Sequence, residues 1–242
     1  PPKAPVMPAW LGAELFNGMV APLVPYGIRG VISYQGEANA DRAGQYRLLF
    51  PELIKGWRQA WGQGDFPFLA VQLAPFDKNR NRTLEQITAT PEDSDWARLR
   101  EAQSLAAKAV PNYALVVTMD VGAQNDLTPA KKDVIGSRLA LAARSVAYGE
   151  TLVSSGPVFK EMVVQGDKVL VRFDAVGAGL EARGGKLTGF AVGGEDKKFV
   201  WAEAQVQLDN SVVVSAAAVP KPVAVRYGWA DFPVVNLFNK DG

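Results

Sequence analysis

Three short apolar runs, at about 28–34, 67–73 and 113–119, constrain this chain more than any other feature of it. Each ends in polar or turn-forming residues, and each is separated from the next by a stretch with helical spacing. Apolar character on both faces is what a strand needs when helices cover both sides of a parallel sheet. Strands alternating with helices in this way predict βαβ units. Residues 43–61 carry Tyr46, Leu49, Phe50, Leu53, Ile54 and Trp57 on one side, with Pro51 predicting a kink or a junction of two helices. A second helix is predicted over 95–109, with Trp96, Leu99, Gln103 and Ala106 on one stripe. A third is predicted over 129–148, with Ile135, Leu139, Ala142 and Val146 inward, Thr128 as its N-cap and Pro129 as its first residue.

The flanking segments read differently. Residues 1–10, with four prolines, form an extended lead-in, and 11–20 fit a short helix stopped by Pro22 and Pro25. The polar stretch 75–95 has no period and is long for a connection, which marks a functional loop. From Val158 onward the pattern changes to short β-type runs separated by Gly, Asp and Asn turns, as in a small antiparallel sandwich. These runs are 161–164, 168–173, 190–192, 199–202, 205–208, 211–215 and 224–229. The expected division falls near 150–155, giving an α/β unit over 1–150 and a β-sandwich unit over 151–242.

Composition narrows the chemistry. The 242 residues are 48% hydrophobic and 21% charged, enough to bury a core, and the net charge of +1 gives no basic face for nucleic acid. No apolar run is long enough to span a membrane. There is neither cysteine nor histidine, so the chain offers no thiolate, no imidazole base and no imidazole metal ligand. No metal and no cofactor is called for. Chemistry here falls to carboxylate, Lys, Tyr, Arg and amide groups, or to an imidazole brought from elsewhere.

Within the first unit, the stretch 30–39 is the strongest candidate. Val31 and Ile32 run into Ser33, Tyr34, Gln35, Gly36 and Glu37, which is how a parallel strand delivers side chains to its C-terminal edge. A neutral amide beside a turn suits a developing oxyanion. Asp120 and Asp126 follow the third strand, and Arg100-Glu101-Ala102-Gln103 faces the same edge from a helix. Each also has a structural reading: Asp120 as a turn cap, Asp126 as a helix-start charge, and Arg100 as the partner of a carboxylate such as Glu37.

These blocks resemble the sialate O-acetylesterase family. The resemblance is carried by Leu15 to Leu23, Tyr34-Gln35-Gly36-Glu37-Ala38-Asn39, Phe50 to Ile54 with Trp57-Arg58, Leu99 to Gln103 and Asp120-Val121-Gly122. It continues through Gly189-Phe190-Ala191, Lys198 to Ala202 and Val225 to Trp229, and so spans nearly the whole chain. The resemblance implies a partial SGNH-hydrolase (flavodoxin-like) α/β sheet followed by the β-sandwich, the first unit being the C-terminal part of the family domain. It also implies a carbohydrate esterase acting on an acetylated carbohydrate, in a periplasmic or secreted setting. Gln35 would be an oxyanion-hole donor and Asp126 the triad acid, with Tyr34, Gly36, Glu37 and Arg100 as the substrate-contacting set. Ser33 stands where the family commonly has Trp, which opens the pocket wall.

Two departures bear on activity. The family reads Asp-Ile-His-Pro where this chain reads Asp126-Leu127-Thr128-Pro129, and a threonine hydroxyl is no base near neutral pH. The family's Gly-Gln-Ser-Asn nucleophile block, expected N-terminal to all of these segments, is not in the sequence; the chain opens on Pro1-Pro2. Loss of one key triad member costs on the order of 10⁴- to 10⁶-fold in rate. The sequence therefore predicts an esterase chain that is inactive alone or needs a complementing segment. A non-catalytic carbohydrate-binding or scaffold protein is the alternative. A glycosidase pairing Glu37 with Asp120 or Asp126 is a third reading. An unpaired sheet edge further predicts a second chain, self-association or a rebuilt lead-in that covers it.

Overall fold

The computed structural model describes residues 13–79, 81–128 and 130–242. The lead-in 1–10, the start of the 11–20 helix and Pro129 lie outside the described residues. Three parallel strands, β1 (Val31–Tyr34), β2 (Phe68–Val71) and β3 (Tyr113–Val116), pair in sequence order, with Val31 beside Phe68 and Phe68 beside Tyr113. All four residues of β2, the central strand, are buried. Its Phe68 and Ala70 face the helices α1 (Ala43–Trp61) and α3 (Asp95–Leu105). Its Leu69 and Val71 face α4 (Lys132–Val146) on the other side. Period-2 alternation thus splits one strand between two helical layers, as continuous hydrophobicity predicted.

Pro51 does not divide α1 into two helices, as one reading of the sequence expected. The helix runs unbroken from Ala43 to Trp61, because Tyr46, Phe50, Ile54 and Arg58, spaced by four, are all buried on one face. That packing outweighs the missing backbone donor at Pro51. Helix α4 begins at Lys132 rather than at Pro129, and Lys131 is its N-cap in place of Thr128. The Thr128 N–H and hydroxyl are held by Asp126 instead, in a local turn that competes with helix initiation. Part of the polar connection 75–95 is ordered as well. A short helix, α2 (Leu84–Thr88), starts there with a capping box between Thr83 and Gln86. Between Leu15 and Leu23 the expected short helix is a π-turn over Phe16–Val20 followed by a 3₁₀ turn over Ala21–Leu23.

The second half is antiparallel. Strands β4 (Val158–Gln165), β5 (Lys168–Asp174), β10 (Val212–Ser215) and β9 (Glu203–Val206) form one sheet; β11 (Ala224–Tyr227), β7 (Phe190–Gly193) and β8 (Phe199–Trp201) form another. Val169, Val171, Val212 and Val214 from the first pack with Phe190 and Val192 from the second in one core, the sandwich arrangement. A two-stranded pair of β6 (Leu180–Ala182) and β12 (Leu237–Asn239) was not foreseen. Each strand is three residues long, and their partners lie more than fifty residues apart in the chain.

Candidate active site

The C-terminal edge of the parallel sheet gathers most of the residues singled out in the sequence. Chain reversal after β1 depends on Gly36, whose φ is 141°. A Cβ there would stand 3.0 Å from the Leu99 side chain, so only glycine fits the turn without strain. Glu37 then opens a 3₁₀ turn. Gln35 Nε2 donates to the Tyr46 hydroxyl at 2.6 Å, fixing the amide and leaving its second N–H uncommitted among the described residues. Burial, the largest influence on Tyr46, pushes its phenol up to about 12, so it stays protonated.

Gln103 braces this edge from below. Fully buried in α3, it donates through Nε2 to the Gln35 carbonyl at 3.2 Å and accepts from the Leu73 N–H at 2.8 Å. Its own carbonyl accepts from the Tyr113 hydroxyl at 2.8 Å. One residue therefore touches the ends of β1 and β2 and the start of β3. The sequence placed Gln103 on a buried stripe, but its amide role was missed. A glutamine among Trp96, Leu99 and Ala106 was the available signal, since a buried amide must find partners.

The loop after β3 is held at its root and open at its tip. Asp120 accepts two bonds from Arg138, at 2.7 and 2.6 Å. Burial raises its carboxyl pKa, but the Arg138 bonds and charge outweigh that and leave it below the usual range. Such a group is a poor general acid, so the glycosidase reading leaves Asp120 only the ionised role of the carboxylate pair. Gly122 lies against Pro75, where a Cβ would come within 2.5 Å of the ring. Asp77, buried and bonded to Arg82 at 2.8 Å, accepts from Gln124 at 3.4 Å and donates its N–H to the Gln124 carbonyl at 2.9 Å. The Asp77–Arg82–Gln124 network was missed because its members lie in unpatterned polar sequence. Beyond it, Asp126 and Thr128 are exposed. Asp126 Oδ1 accepts from the Thr128 N–H at 2.8 Å and its hydroxyl at 3.0 Å, and these bonds lower the Asp126 pKa.

No direct bond joins Gln35 to Asp126 among the described residues. The two follow opposite outer strands, two interstrand spacings or about 10 Å apart at the sheet. Lys132 stands between them: its Nζ sits 4.9 Å from the Tyr34 ring centroid, and its charge also lowers the Asp126 pKa. Burial, aided by the Glu37 charge, raises the Tyr34 phenol. A lysine pair opening a helix, against the helix dipole, was the signal in the sequence for an unusual role.

Arg100 takes a different position from its neighbours. It is buried, and its guanidinium donates to the Gly228 carbonyl at 3.1 Å and to the Ala230 carbonyl. No ion pair links it to Glu37 among the described residues, so the expected partnership is corrected to a backbone contact with the second half. Burial pushes the Arg100 pKa down to about 10. Beside it, Ser94 donates to Asp231 at 2.6 Å, and Asp231 also pairs with Lys78 at 3.5 Å.

A parallel sheet with helices on both faces, polar side chains at its C-terminal edge and an appended antiparallel sandwich define a fold of the carbohydrate esterase type. The chain belongs to the carbohydrate esterase, sialic acid-specific acetylesterase family, whose sequence model matches residues 7–145. It is 30% identical to mouse sialate O-acetylesterase over 237 residues, covering 90% of this chain and 42% of the relative. Rat sialate O-acetylesterase is 28% identical over 250 residues, covering 96% of this chain and 45% of the relative. The crystal structure of a carbohydrate acetylesterase from Xanthomonas citri superposes with a TM-score of 0.86 at 45% identity, over 94% of this chain and 51% of that one. The chain therefore spans about half the length, or less, of the proteins it matches.

Proposed function

We propose that this chain carries the oxyanion side of a carbohydrate O-acetylesterase site, and that these 242 residues by themselves do not turn over acetyl esters. The observation that carries the reading is the contrast at the sheet edge. The Gln35 amide is fixed by Tyr46 beside the Gly36 turn, with one N–H uncommitted among the described residues. Across the edge, Asp126 holds a threonine hydroxyl where a triad acid needs an imidazole. Gln35 would steady the tetrahedral oxyanion, Asp126 would orient a base, and Tyr34, Gly36 and Glu37 would border the sugar. Arg100, turned toward the 228–230 backbone, would act by fixing α3 rather than by touching substrate. A serine nucleophile and a base would have to come from a complementing segment. The same reading places the substrate, an acetylated carbohydrate, in a periplasmic or secreted setting, and divides the chain near 150–155.

The alternative, a carbohydrate-binding protein without turnover, is favoured by the closed Asp126–Thr128 turn. Acetate release from p-nitrophenyl acetate and from an acetylated glycan separates the readings from their opposite. Release by this chain alone, above the buffer rate and sensitive to Gln35→Ala, would overturn the inactivity of the isolated chain. Binding of an acetylated sugar that weakens in Gln35→Ala, without release, is the expected result.

A further inference from the structure

A second concavity lies away from the strand edge, between α2 and the sandwich. It encloses about 400 Å³, within the size range of small-molecule pockets. Its lining draws on Ile87 of α2, Leu187 and Phe190 at the start of β7, Trp201 at the end of β8, and Trp229 and Phe232 beyond β11. Tyr34, Gln35, Glu37, Asp126 and Thr128 do not border it.

The polar side chains of this lining are already engaged within the protein. The Thr88 hydroxyl donates to the Leu84 carbonyl at 2.8 Å. That of Thr188 is shared between the Val234 carbonyl and Asn236 Oδ1, each at 3.3 Å. The Trp229 N–H donates to Asp93 at 3.5 Å. Lys186, the one charged residue of the lining, pairs with Glu203. The Trp201 indole nitrogen lies beneath the surface, where no occupant reaches it. A sugar or an ion entering here would give up its water partners and gain few in return, which costs free energy. An uncharged apolar group makes no such sacrifice, and it releases the water held against the rings and aliphatic groups.

Size and rigidity narrow the class further. A cavity of about 150 Å³ holds one benzene, so about 400 Å³ has room for two rings. The walls are preformed: the Phe190 and Tyr227 ring centroids lie 4.5 Å apart, and the Arg226 guanidinium lies 4.5 Å from the Trp229 centroid. Rings fixed before binding lose little freedom on it. Pairing with a ligand ring is worth about two- to tenfold in affinity beyond the buried area. We infer that this concavity is a binding site for an uncharged aromatic ligand of about two rings. The inference goes beyond the acetylesterase reading and does not depend on it.

Titration of the whole chain with 2-naphthol, read by calorimetry and saturation-transfer NMR, tests it. The expected result is saturable binding of one molecule per chain, tighter than that of 1-octanol or the 2-naphthoate anion, with none of xylobiose. Phe232→Ala, which removes a ring from the lining, should weaken 2-naphthol about tenfold. Val234→Glu, a carboxylate at an exposed lining position that the fold tolerates, should weaken it as well. Leu53→Asn, on the exposed apolar flank of α1, should leave it unchanged. Octanol binding as tightly as 2-naphthol would overturn the aromatic class, and 2-naphthoate binding as tightly would overturn the uncharged one. Binding unaltered in both Phe232→Ala and Val234→Glu, or lost in Leu53→Asn, would place the ligand elsewhere and overturn the site. No saturable binding would sink the inference and leave the acetylesterase reading untouched.

Discussion

The two outer strands of the parallel sheet end in opposite ways. After β1, Gln35 and Gly36 are packed against Leu99, Tyr46 and Gln103, and the Gln103 amide bonds to both the Gln35 carbonyl and the Leu73 N–H. After β3, the chain is fastened at Asp120 and Gln124 and then runs out to Asp126 and Thr128 at the surface. The difference teaches which half of a hydrolytic site a fold can keep without chemistry. The oxyanion wall proposed here would be built from the strand ends, so sheet stability preserves it. The proposed acid–base position would ride on a loop tip, whose identity the core does not dictate.

Four substitutions would break or sharpen that contrast. The largest effect is expected from Asp77→Ala, which takes the buried carboxylate from Arg82, leaving it Glu92 alone, and removes one of the Gln124 amide's acceptors; a loss of about 3 kcal/mol in urea denaturation is expected. Exchange of the 120–128 amides should quicken with it, whereas those of β1 should not. Next comes Gln103→Ala, which leaves the buried Leu73 N–H and the Gln35 carbonyl unpaired and should cost about 2 kcal/mol. An equal effect of the two on amide exchange in both loops would erase the distinction drawn here.

Asp120→Asn should cost about 1–2 kcal/mol at pH 7, because Arg138 loses a charged, two-bond partner. The sign follows from the depressed Asp120 pKa. Its contribution is present above the unfolded value of about 4 and is lost as pH falls through the lower folded value. Stability curves of the variant and the parent chain should therefore begin to approach each other near pH 4 and meet only below the folded value. The smallest effect is expected from Thr128→His at the exposed tip, within about 0.5 kcal/mol. Restoring an imidazole without a nucleophile should release no acetate; release by that single variant would show the open half to be one residue from completion.

Some of this was legible in the sequence for a physical reason, and some was hidden for one. The three parallel strands stood out because a strand covered on both faces is apolar throughout, and Gln35 because polarity changes abruptly at the strand end. The uninterrupted α1 was not legible, since the burial of Tyr46, Phe50, Ile54 and Arg58 that overrides Pro51 exists only after folding. Nor was the start of α4, where a three-residue Asp126–Thr128 turn competes with a cap of the same composition. Arg100 was readable as a cation in need of partners, but carbonyls 128 and 130 residues onward could not be named from the chain. Strands β6 and β12 escaped for the same reason: three residues carry no period, and their pairing is set by the sandwich around them.

Arg100 and Gln103 occupy successive turns of one face of α3, about 4.5 Å apart along its axis. The first grips the Gly228–Ala230 turn of the second half; the second grips the ends of β1 and β2. The helix is thus a strut with one grip on the second half and one on the sheet edge, too short between them to bend. A displacement of the 228–230 turn along that axis is delivered to the strand ends, and the spacing between the two is gauged by a single helical turn.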